Sequence, residues 1–324
     1  MNKHMKIAIL GFGTVGRGTY RAITLPASEI TRRTGLVIEP ARILEINPAS
    51  IKSGEAPEEL FTQDLNDILN DPEITAVAEC MGGLEPAHTF ILRCMEAGKS
   101  VVTPNKAVVA ANYPEFKETA ARCGVEFRYE ASVGGAIPVI EVINHSLWAN
   151  EITKVEGIVN GTTNYILTKM DEDDMTYEEA LKQAQDNGFA ERNPAADVEG
   201  IDAANKLTIL MAECFGVYTP PTDFERIGVT AVTKADIEAA ASRGCKIKLI
   251  ASAERRADGS IAASVKPTEI PLDNPLAMVR NEFNAILLHC SMADDIFLQG
   301  RGAGKDPTGS AVASDLIASC VSRA

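Results

Sequence analysis

The chain has 324 residues, enough for about two domains of roughly 150 residues each. Hydrophobic residues make up 45% of the chain and charged residues 23%, and these shares exclude a disordered or a fibrous protein. The formal net charge is −14. A chain this acidic lacks the basic surface that nucleic acid or an anionic membrane would bind, so we expect neither partner.

The cysteines and the apolar runs indicate the compartment. Seven cysteines are scattered singly without a C-x-x-C pair, which is typical of reduced thiols rather than of a disulfide framework. The apolar run at residues 7–10 is too short for the core of a signal peptide. No later segment reaches the roughly 18 uncharged apolar residues that a membrane span needs. We therefore expect a cytoplasmic protein.

The first part of the chain alternates short apolar runs with helical patterns. The predicted strands are 6–10, 42–46, 74–79, 100–103 and 125–129, and the predicted helices are 14–24, 86–97 and 114–123. Alternation of this kind predicts parallel strands joined by helical crossovers, hence an α/β domain with a Rossmann-type parallel sheet.

The pattern changes after residue 135. Helices are predicted at 137–148, in the stretch 162–215 (with one long helix over 197–215) and at 307–322; strands are predicted at 152–159, 245–253, 260–266, 283–289 and 296–299. An Asp-Gly pair at 258–259 is a hairpin signal. Hairpins mixed with grouped helices predict a second domain of the α+β class.

The motif GFGTVG follows the first predicted strand and opens the first predicted helix. Gly11 permits a tight turn, Gly13 lets the backbone approach a pyrophosphate closely, and Gly16 allows the helix to pack on the strand. The free N–H groups at the start of the helix, including those of Thr14 and Val15, would then hold the phosphates. In this position the motif predicts a dinucleotide site rather than an ordinary glycine-rich turn.

An acidic residue at the end of the second strand binds the adenine ribose hydroxyls in such folds, and Glu45 is the candidate. It lies further from the glycines than the usual spacing of about 20 residues, so the segment between them must hold an insertion. No arginine follows Glu45 directly, which favours NAD over a cofactor with a 2′-phosphate. Arg42 and Lys52 leave NADP open.

Four charged residues are candidates for the chemistry. Lys106 follows the fourth predicted strand, at the edge where open α/β sheets bind ligands, although it also fits a solvated surface charge. Asp202 and Lys206 lie four residues apart on one helix face among small and apolar neighbours. A partly buried lysine can act as an acid or a base; the alternative is a minor helix-stabilising pair. Glu191 by itself fits an exposed loop carboxylate.

Six motifs, in the same order, resemble homoserine dehydrogenase. They are GFGTVGRG at 11–18, TPNKA at 103–107, EASVGGAIPVI at 130–140, GIVNGTTNYIL at 157–167, GFAERNPAADVEGIDAANKLTIL at 188–210 and GRGAGKDPTGSAVASDL at 300–316. The resemblance covers nearly the whole chain. It implies a homodimeric enzyme that reduces aspartate semialdehyde to homoserine with NAD(P), on the route to threonine, methionine and isoleucine.

The resemblance also implies roles for individual residues. Lys106 and Lys206 match the catalytic lysines beside the reacting oxygen, with Lys206 as proton donor and acceptor and Lys106 in contact with substrate and cofactor. Asp202 matches the carboxylate that hydrogen-bonds the substrate, and Glu191 the one that holds its ammonium group. Gly304 matches a glycine that lines the cofactor.

The turn at 130–135 combines one carboxylate with several backbone carbonyls, which is a ligand set that hard cations take. Its residues alone leave a metal site and an ordinary turn both open. The resemblance implies a sodium site, formed by Glu130 and the backbone carbonyls of Val133, Gly135 and Ile137.

By the same resemblance, residues 1–135 form the dinucleotide-binding domain, which is completed by about 300–324 when the last helix returns to it. Residues 136–299 would form the substrate-binding and dimerisation domain. The chain ends after the returning helix, whereas many relatives carry a further regulatory domain that binds amino acids. We expect threonine not to inhibit this enzyme strongly.

Two other functions stay open at this point. A semialdehyde dehydrogenase that oxidises its substrate through a thioester needs an activated cysteine, and no cysteine here has a glycine-rich or histidine-paired setting. A catalytically inert dinucleotide sensor would bind NAD(P)H without turnover. It would have no use for the lysines and carboxylates that the resemblance assigns to catalysis.

Overall fold

The computed structural model describes residues 3–324. The helices are α1 (Thr14–Thr24), α2 (Ala27–Thr34), α3 (Pro48–Ile51), α4 (Asn66–Leu69), α5 (Ala87–Glu96), α6 (Lys106–Cys123), α7 (Val139–Glu141), α8 (Gly161–Glu172), α9 (Tyr177–Asp186), α10 (Ala195–Val198), α11 (Ile201–Phe215), α12 (Lys234–Ser242) and α13 (Lys305–Ser322). The strands are β1 (Lys3–Leu10), β2 (Leu36–Leu44), β3 (Phe61–Thr62), β4 (Ile74–Glu79), β5 (Ser100–Val102), β6 (Phe127–Arg128), β7 (Ile152–Ile158), β8 (Glu225–Arg226), β9 (Cys245–Arg255), β10 (Ile261–Pro271), β11 (Phe283–Cys290) and β12 (Asp294–Arg301).

The first of two compact units contains the chain up to Ala136 and the segment Ala303–Ala324. Its six strands are all parallel, in the order β3-β2-β1-β4-β5-β6. This is the order of two βαβαβ halves that diverge from β1 and β4, where dinucleotides bind in doubly wound folds. The predicted Rossmann-type sheet is confirmed.

The last helix of the chain, α13, packs on α1 in this first unit. The contact is close because glycines face each other: a Cβ on Gly18 would lie 2.0 Å from the Lys305 carbonyl oxygen. A Cβ on Gly309 would lie 2.3 Å from the carbonyl carbon of Gly18. The return of the C-terminal helix to the parallel-sheet unit, which the resemblance implied, is therefore present.

The second unit, Ile137–Gly302, is built on a mixed sheet in the order β12-β11-β7-β9-β10-β8. Neighbouring strands are antiparallel except for β10 and β8. The predicted hairpin at Asp258-Gly259 joins β9 to β10, with φ of +84° at the glycine. Five helices of this unit, α8 to α12, are grouped in sequence between β7 and β9, so the predicted α+β class is confirmed.

The second strand was misplaced by the sequence pattern. β2 spans Leu36–Leu44 instead of 42–46, and its pairing with β1 begins at Lys3↔Leu36. Pro40 and the exposed Glu39 interrupt the apolar alternation, which hid the first half of the strand. The predicted insertion between the glycines and Glu45 is confirmed: α2 lies there.

Two predicted helices also differ from the structure. The long helix over 197–215 is broken into α10 and α11 at Gly200, whose φ of +77° is a left-handed conformation that ends one helix and starts the next. The helix predicted at 137–148 is reduced to α7 and a π-helical turn at Val142–Ser146. Within the described residues, no helix has both the length and the apolar character that a bilayer span requires.

Candidate active site

The glycine motif forms the turn between β1 and α1. Gly11 has a φ of +89°, and a Cβ on Gly16 would lie 2.0 Å from the Gly11 carbonyl oxygen, so both positions require glycine. A Cβ on Gly13, in contrast, would meet no protein atom within 4 Å. The space beside the first turn of α1, where the amides of Thr14 and Val15 begin the helix, is therefore open to an anionic group.

Glu45 lies directly after β2, at the same edge of the sheet as the glycine turn. Its Oε2 accepts a hydrogen bond from the Phe12 backbone N–H at 2.8 Å. Its Oε1 accepts from Ile46 N at 2.9 Å and from Asn47 N at 2.8 Å. The carboxylate thus holds the glycine turn in place, and Oε2, which has one donor, keeps lone-pair capacity for a further one.

Gly304 caps the start of α13, with a φ of +129° that favours glycine. The next residue, Lys305, donates to Glu55 Oε2 at 2.8 Å, and Arg17 Nη1 on α1 donates to Glu55 Oε1 at 2.8 Å. The hydrogen bond from Lys305 is the main reason that the pKa of Glu55 lies below its usual value. Sequence reasoning missed this cluster, since its members are far apart in the chain and follow no motif.

Lys106 is the first residue of α6, directly after the turn that leaves β5. Asn105 caps the helix: its Oδ1 accepts from Val108 N at 3.3 Å. Its Nδ2 donates to the Gly83 carbonyl oxygen at 2.6 Å. A cation at a helix N-terminus opposes the helix dipole at a cost of about 0.3–1 kcal/mol. Helix stability therefore does not explain why a lysine lies half-buried at position 106.

Asp202 and Lys206 form a buried ion pair on α11, with exposed fractions of 6% and 7%. Lys206 Nζ lies 2.6 Å from Asp202 Oδ2 and 2.6 Å from the carbonyl oxygen of Val159. Since both side chains are buried, this pair is not the exposed helix-stabilising pair that the spacing alone allowed. Burial costs each ion a desolvation penalty of several kcal/mol, so helix stability alone does not explain the pair.

Two residues that sequence reasoning missed complete the surroundings of this pair. Asn160 Nδ2 donates to Asp202 Oδ2 at 2.9 Å and to Asp197 Oδ1 at 2.7 Å. Asn160 Oδ1 also accepts from Thr163 N at 2.9 Å, so the same side chain caps α8. An N-capping asparagine after a strand is readable in the sequence, but its bridge between two aspartates is not.

Asp197 gives the first testable prediction. Burial is the main reason that its carboxyl pKa is raised above the ordinary 3.8. Well below pH 3.8 this carboxyl is protonated in both the folded and the unfolded protein. As the pH rises it ionises first in the unfolded protein, so Asp197 then disfavours folding. Asp197→Asn should therefore match the parent near pH 3 and be more stable than the parent at pH 8, as measured by denaturant midpoints. An equal stability difference at both pH values would contradict this.

Glu191 lies on the exposed loop between α9 and α10 in the second unit. Its carbonyl oxygen accepts from Gln185 Nε2 at 3.1 Å. The loop is tied to the start of α8, since Thr162 Oγ1 donates to the Phe189 carbonyl oxygen at 2.7 Å. The carboxylate of Glu191 is thus on a loop that is anchored near the N-terminus of α8.

The turn with the predicted cation ligands begins at Glu130, which is buried and whose N–H donates to Asp315 Oδ2 on α13 at 2.9 Å. Val133 and Gly135 follow it and are also buried. Ile137 begins the second unit, and its carbonyl oxygen accepts from Val139 N at 2.8 Å. Among residues 3–324, no group of three or more His, Cys, Asp or Glu side chains is arranged to hold a metal ion.

Comparison with known proteins decides the family. The family model described as "Homoserine dehydrogenase, NAD binding domain" matches residues 11–130, and the one described as "Homoserine dehydrogenase" matches residues 138–317. The chain belongs to the homoserine dehydrogenase family. The family predicted from the six motifs is confirmed, and the chain is an NAD(P)-dependent oxidoreductase.

Individual homoserine dehydrogenases are similar over nearly the whole chain. The enzyme of Bacillus subtilis is 38% identical over 98% of this chain and 73% of its own length. A crystal structure of a homoserine dehydrogenase from Thiobacillus denitrificans has a TM-score of 0.94 and 38% identity, covering 98% of this chain and 73% of that one. A hyperthermophilic archaeal homoserine dehydrogenase in complex with NADPH has a TM-score of 0.83 and 27% identity, covering 98% of each chain.

The cysteines do not favour the thioester alternative in this homoserine dehydrogenase fold. Burial is the main reason that the thiol pKa is raised at five of the seven, namely Cys80, Cys94, Cys214, Cys290 and Cys320. A nucleophilic cysteine needs a lowered pKa, because the thiolate is the reactive form. Those five thiols therefore lack the lowered pKa that the thioester mechanism needs.

Proposed function

We propose that the chain catalyses the reversible NAD(P)-dependent reduction of L-aspartate 4-semialdehyde to L-homoserine, in the biosynthesis of threonine, methionine and isoleucine. The observation that carries this proposal is the buried pair of Lys206 and Asp202 on α11 in a member of the homoserine dehydrogenase family. A lysine that is removed from water, and held by one carboxylate and one carbonyl, suits proton transfer rather than surface solvation.

The first unit would bind the cofactor. Gly11 and Gly16 form the turn, and the amides of Thr14 and Val15 would hold the pyrophosphate where Gly13 leaves space. The carboxylate after β2 would accept from the adenine ribose, and the glycine at the start of α13 would line the cofactor. When bound, NAD(P)H supplies a hydride.

Lys206 would supply the proton. Reduction of an aldehyde leaves negative charge on its oxygen, which needs a nearby cation and a proton donor. The Lys206 ammonium would donate the proton to that oxygen. Asp202 and the Val159 carbonyl hold the amine in one position, and Asn160 in turn holds Asp202.

The remaining polar groups would hold the substrate. Lys106 would contact the reacting oxygen and the cofactor, while Asp202 would hydrogen-bond the substrate. Glu191 would bind the ammonium group of the amino acid. The amides of Gly161 and Thr162, at the start of the 12-residue helix α8, would receive its carboxylate.

Oxidation of NADH or NADPH by the purified protein, with and without L-aspartate 4-semialdehyde, tests the proposal. We expect turnover that depends on the semialdehyde and yields homoserine. Cofactor binding without turnover would favour the inert sensor instead, and the product distinguishes the reaction from oxidation of the semialdehyde.

The choice of cofactor gives a second prediction, at Glu45. A 2′-phosphate near this carboxylate would be repelled by about 1 kcal/mol per charge at 4 Å in water, which is about fivefold in affinity. Glu45→Gln should therefore raise the ratio of kcat/KM for NADPH to that for NADH by about five- to tenfold. Glu39→Gln, on the exposed part of β2, is the matched control and should leave this ratio unchanged. An unchanged ratio in Glu45→Gln would exclude Glu45 from the ribose site.

Further parts of the proposal follow the family. The carboxylate of Glu130 and the carbonyls of Val133, Gly135 and Ile137 are oxygen ligands that suit a sodium ion, and the buried position of Glu130 supports this set. We also propose that the unit Ile137–Gly302 binds substrate and forms a homodimer, and that the protein is cytoplasmic.

A further inference from the structure

A buried carboxylate joins two loops at the carboxyl edge of the parallel sheet. Glu79, the last residue of β4, is completely buried. Its Oε1 accepts from Met81 N at 2.7 Å and from Gly82 N at 3.2 Å. Its Oε2 accepts from the Thr103 hydroxyl at 2.6 Å. Three donors satisfy a group whose burial is otherwise unfavourable, so this carboxylate holds the loops after β4 and β5 together.

The hydrogen bonds continue from Thr103 to Asn105, the residue directly before Lys106. The Thr103 hydroxyl oxygen accepts from Asn105 N at 3.0 Å, and Asn105 Nδ2 donates to the Gly83 carbonyl oxygen at 2.6 Å. The contacts therefore close a ring that leaves Glu79, passes through the loop after β5 and returns to the loop after β4. Since Lys106 directly follows Asn105, the ring fixes the backbone from which the lysine extends.

The loop after β4 also packs against the glycine turn. A Cβ on Gly11 would lie 2.9 Å from Met81 Cγ. Gly82 and Gly83 have φ of +76° and +73°, and the bond from Gly82 N to the carboxylate helps to hold this left-handed pair. One loop thus touches both the turn that would hold the dinucleotide and the turn that leads into α6.

We propose that Glu79 is a positioning residue for the reduction: through Thr103 and Asn105 it fixes Lys106 relative to the glycine turn. The proposal rests on the role given to Lys106 above. A misplacement of about 1 Å at a reacting group can lower a rate about 100-fold, so loosening the ring should lower kcat.

Two variants break the same link from opposite sides. Glu79→Gln keeps an acceptor for the two backbone N–H groups but presents an amide NH₂ to Thr103. Thr103→Val keeps the shape of threonine and removes its hydroxyl. We expect kcat to fall about 10- to 100-fold in each, with folding retained. Lys99→Met is the matched control: this buried lysine bonds the carbonyl oxygens of Asp71 and Ile74 at the opposite edge, so only Tm should fall.

The deciding measurement repeats Glu79→Gln in a Lys106→Ala background. If Glu79 acts through Lys106, Lys106→Ala lowers kcat and Glu79→Gln lowers it no further. Equal losses in both backgrounds, or parent-like kcat in both Glu79→Gln and Thr103→Val, would overturn the inference while leaving the proposed function standing. Parent-like kcat in Lys106→Ala alone would instead remove the catalytic role of that lysine, and the inference with it.

Discussion

Lys206→Met should lower kcat for the reduction of aspartate semialdehyde by about 10²- to 10⁴-fold, because the variant keeps an unbranched side chain one atom shorter than lysine but has no proton to donate. Steady-state kinetics with NADH and with NADPH measure the effect. Lys206→Arg should be nearly as inactive, since a guanidinium keeps its proton near neutral pH. Parent-like turnover in either variant would show that another group carries the proton.

Loss of stability has to be separated from loss of chemistry in this experiment. Removing Lys206 leaves Asp202 buried without its cation, which costs about 3–5 kcal/mol in the free energy of unfolding. Adding Asp202→Asn to Lys206→Met removes the unpaired charge and should recover stability but not activity. The exposed pair of Lys182 and Asp186 has the same spacing on α9, so Lys182→Met should change neither quantity.

Two alanine substitutions in one glycine motif should affect different properties, cofactor affinity at Gly13 and stability at Gly16. Gly13→Ala adds a Cβ where no protein atom lies within 4 Å, at an ordinary φ of −76°, so the fold should tolerate it. The methyl group would occupy the space proposed for the pyrophosphate. A steric cost of about 1–3 kcal/mol would raise the Kd for NAD(P)H about 5- to 150-fold. Fluorescence titration with NADPH measures the change.

Gly16→Ala serves as the contrasting variant. Its Cβ would lie 2.0 Å from the Gly11 carbonyl oxygen, a backbone atom that would have to shift to make room. We expect a loss of about 3 kcal/mol or more in unfolding free energy, which is roughly 6–12 °C in Tm.

If Gly13→Ala binds the cofactor as the parent does, the phosphates do not lie at this turn. If Gly16→Ala has the Tm of the parent, the packing described for α1 is wrong.

The fold was predictable wherever burial alone decided the element. The strand β4, buried at all positions but Thr75, was predicted with both of its ends, and α1 with its start at the glycine motif. Prediction failed where a single backbone conformation decides: the left-handed Gly200 splits an apolar stripe that otherwise reads as one helix. An apolar stripe indicates which face is buried, not whether the helix is continuous.

The candidate site was predictable where its residues are close in sequence. The spacing of Asp202 and Lys206 indicated a shared helix face, and the structure adds that the pair is buried. Asn160 and Glu79 were not identified, because their contacts join elements that meet only in the folded chain. The apolar run before Glu79 indicates that this strand end is buried. The sequence does not indicate which loops its carboxylate bonds, and only the structure shows them.

The glycine contact between α1 and α13 has a consequence for synthesis on the ribosome. The apolar face that contains Ile7, Ile9 and Ile23 is covered by residues of α13, among them Val312 and Leu316. The 166 residues of Ile137–Gly302 must be translated before that helix exists, which takes roughly 8 to 33 s at about 5–20 residues per second. During this interval the apolar face that α13 will cover stays exposed on the nascent sheet, so we expect the newborn chain to be most prone to aggregation at this stage.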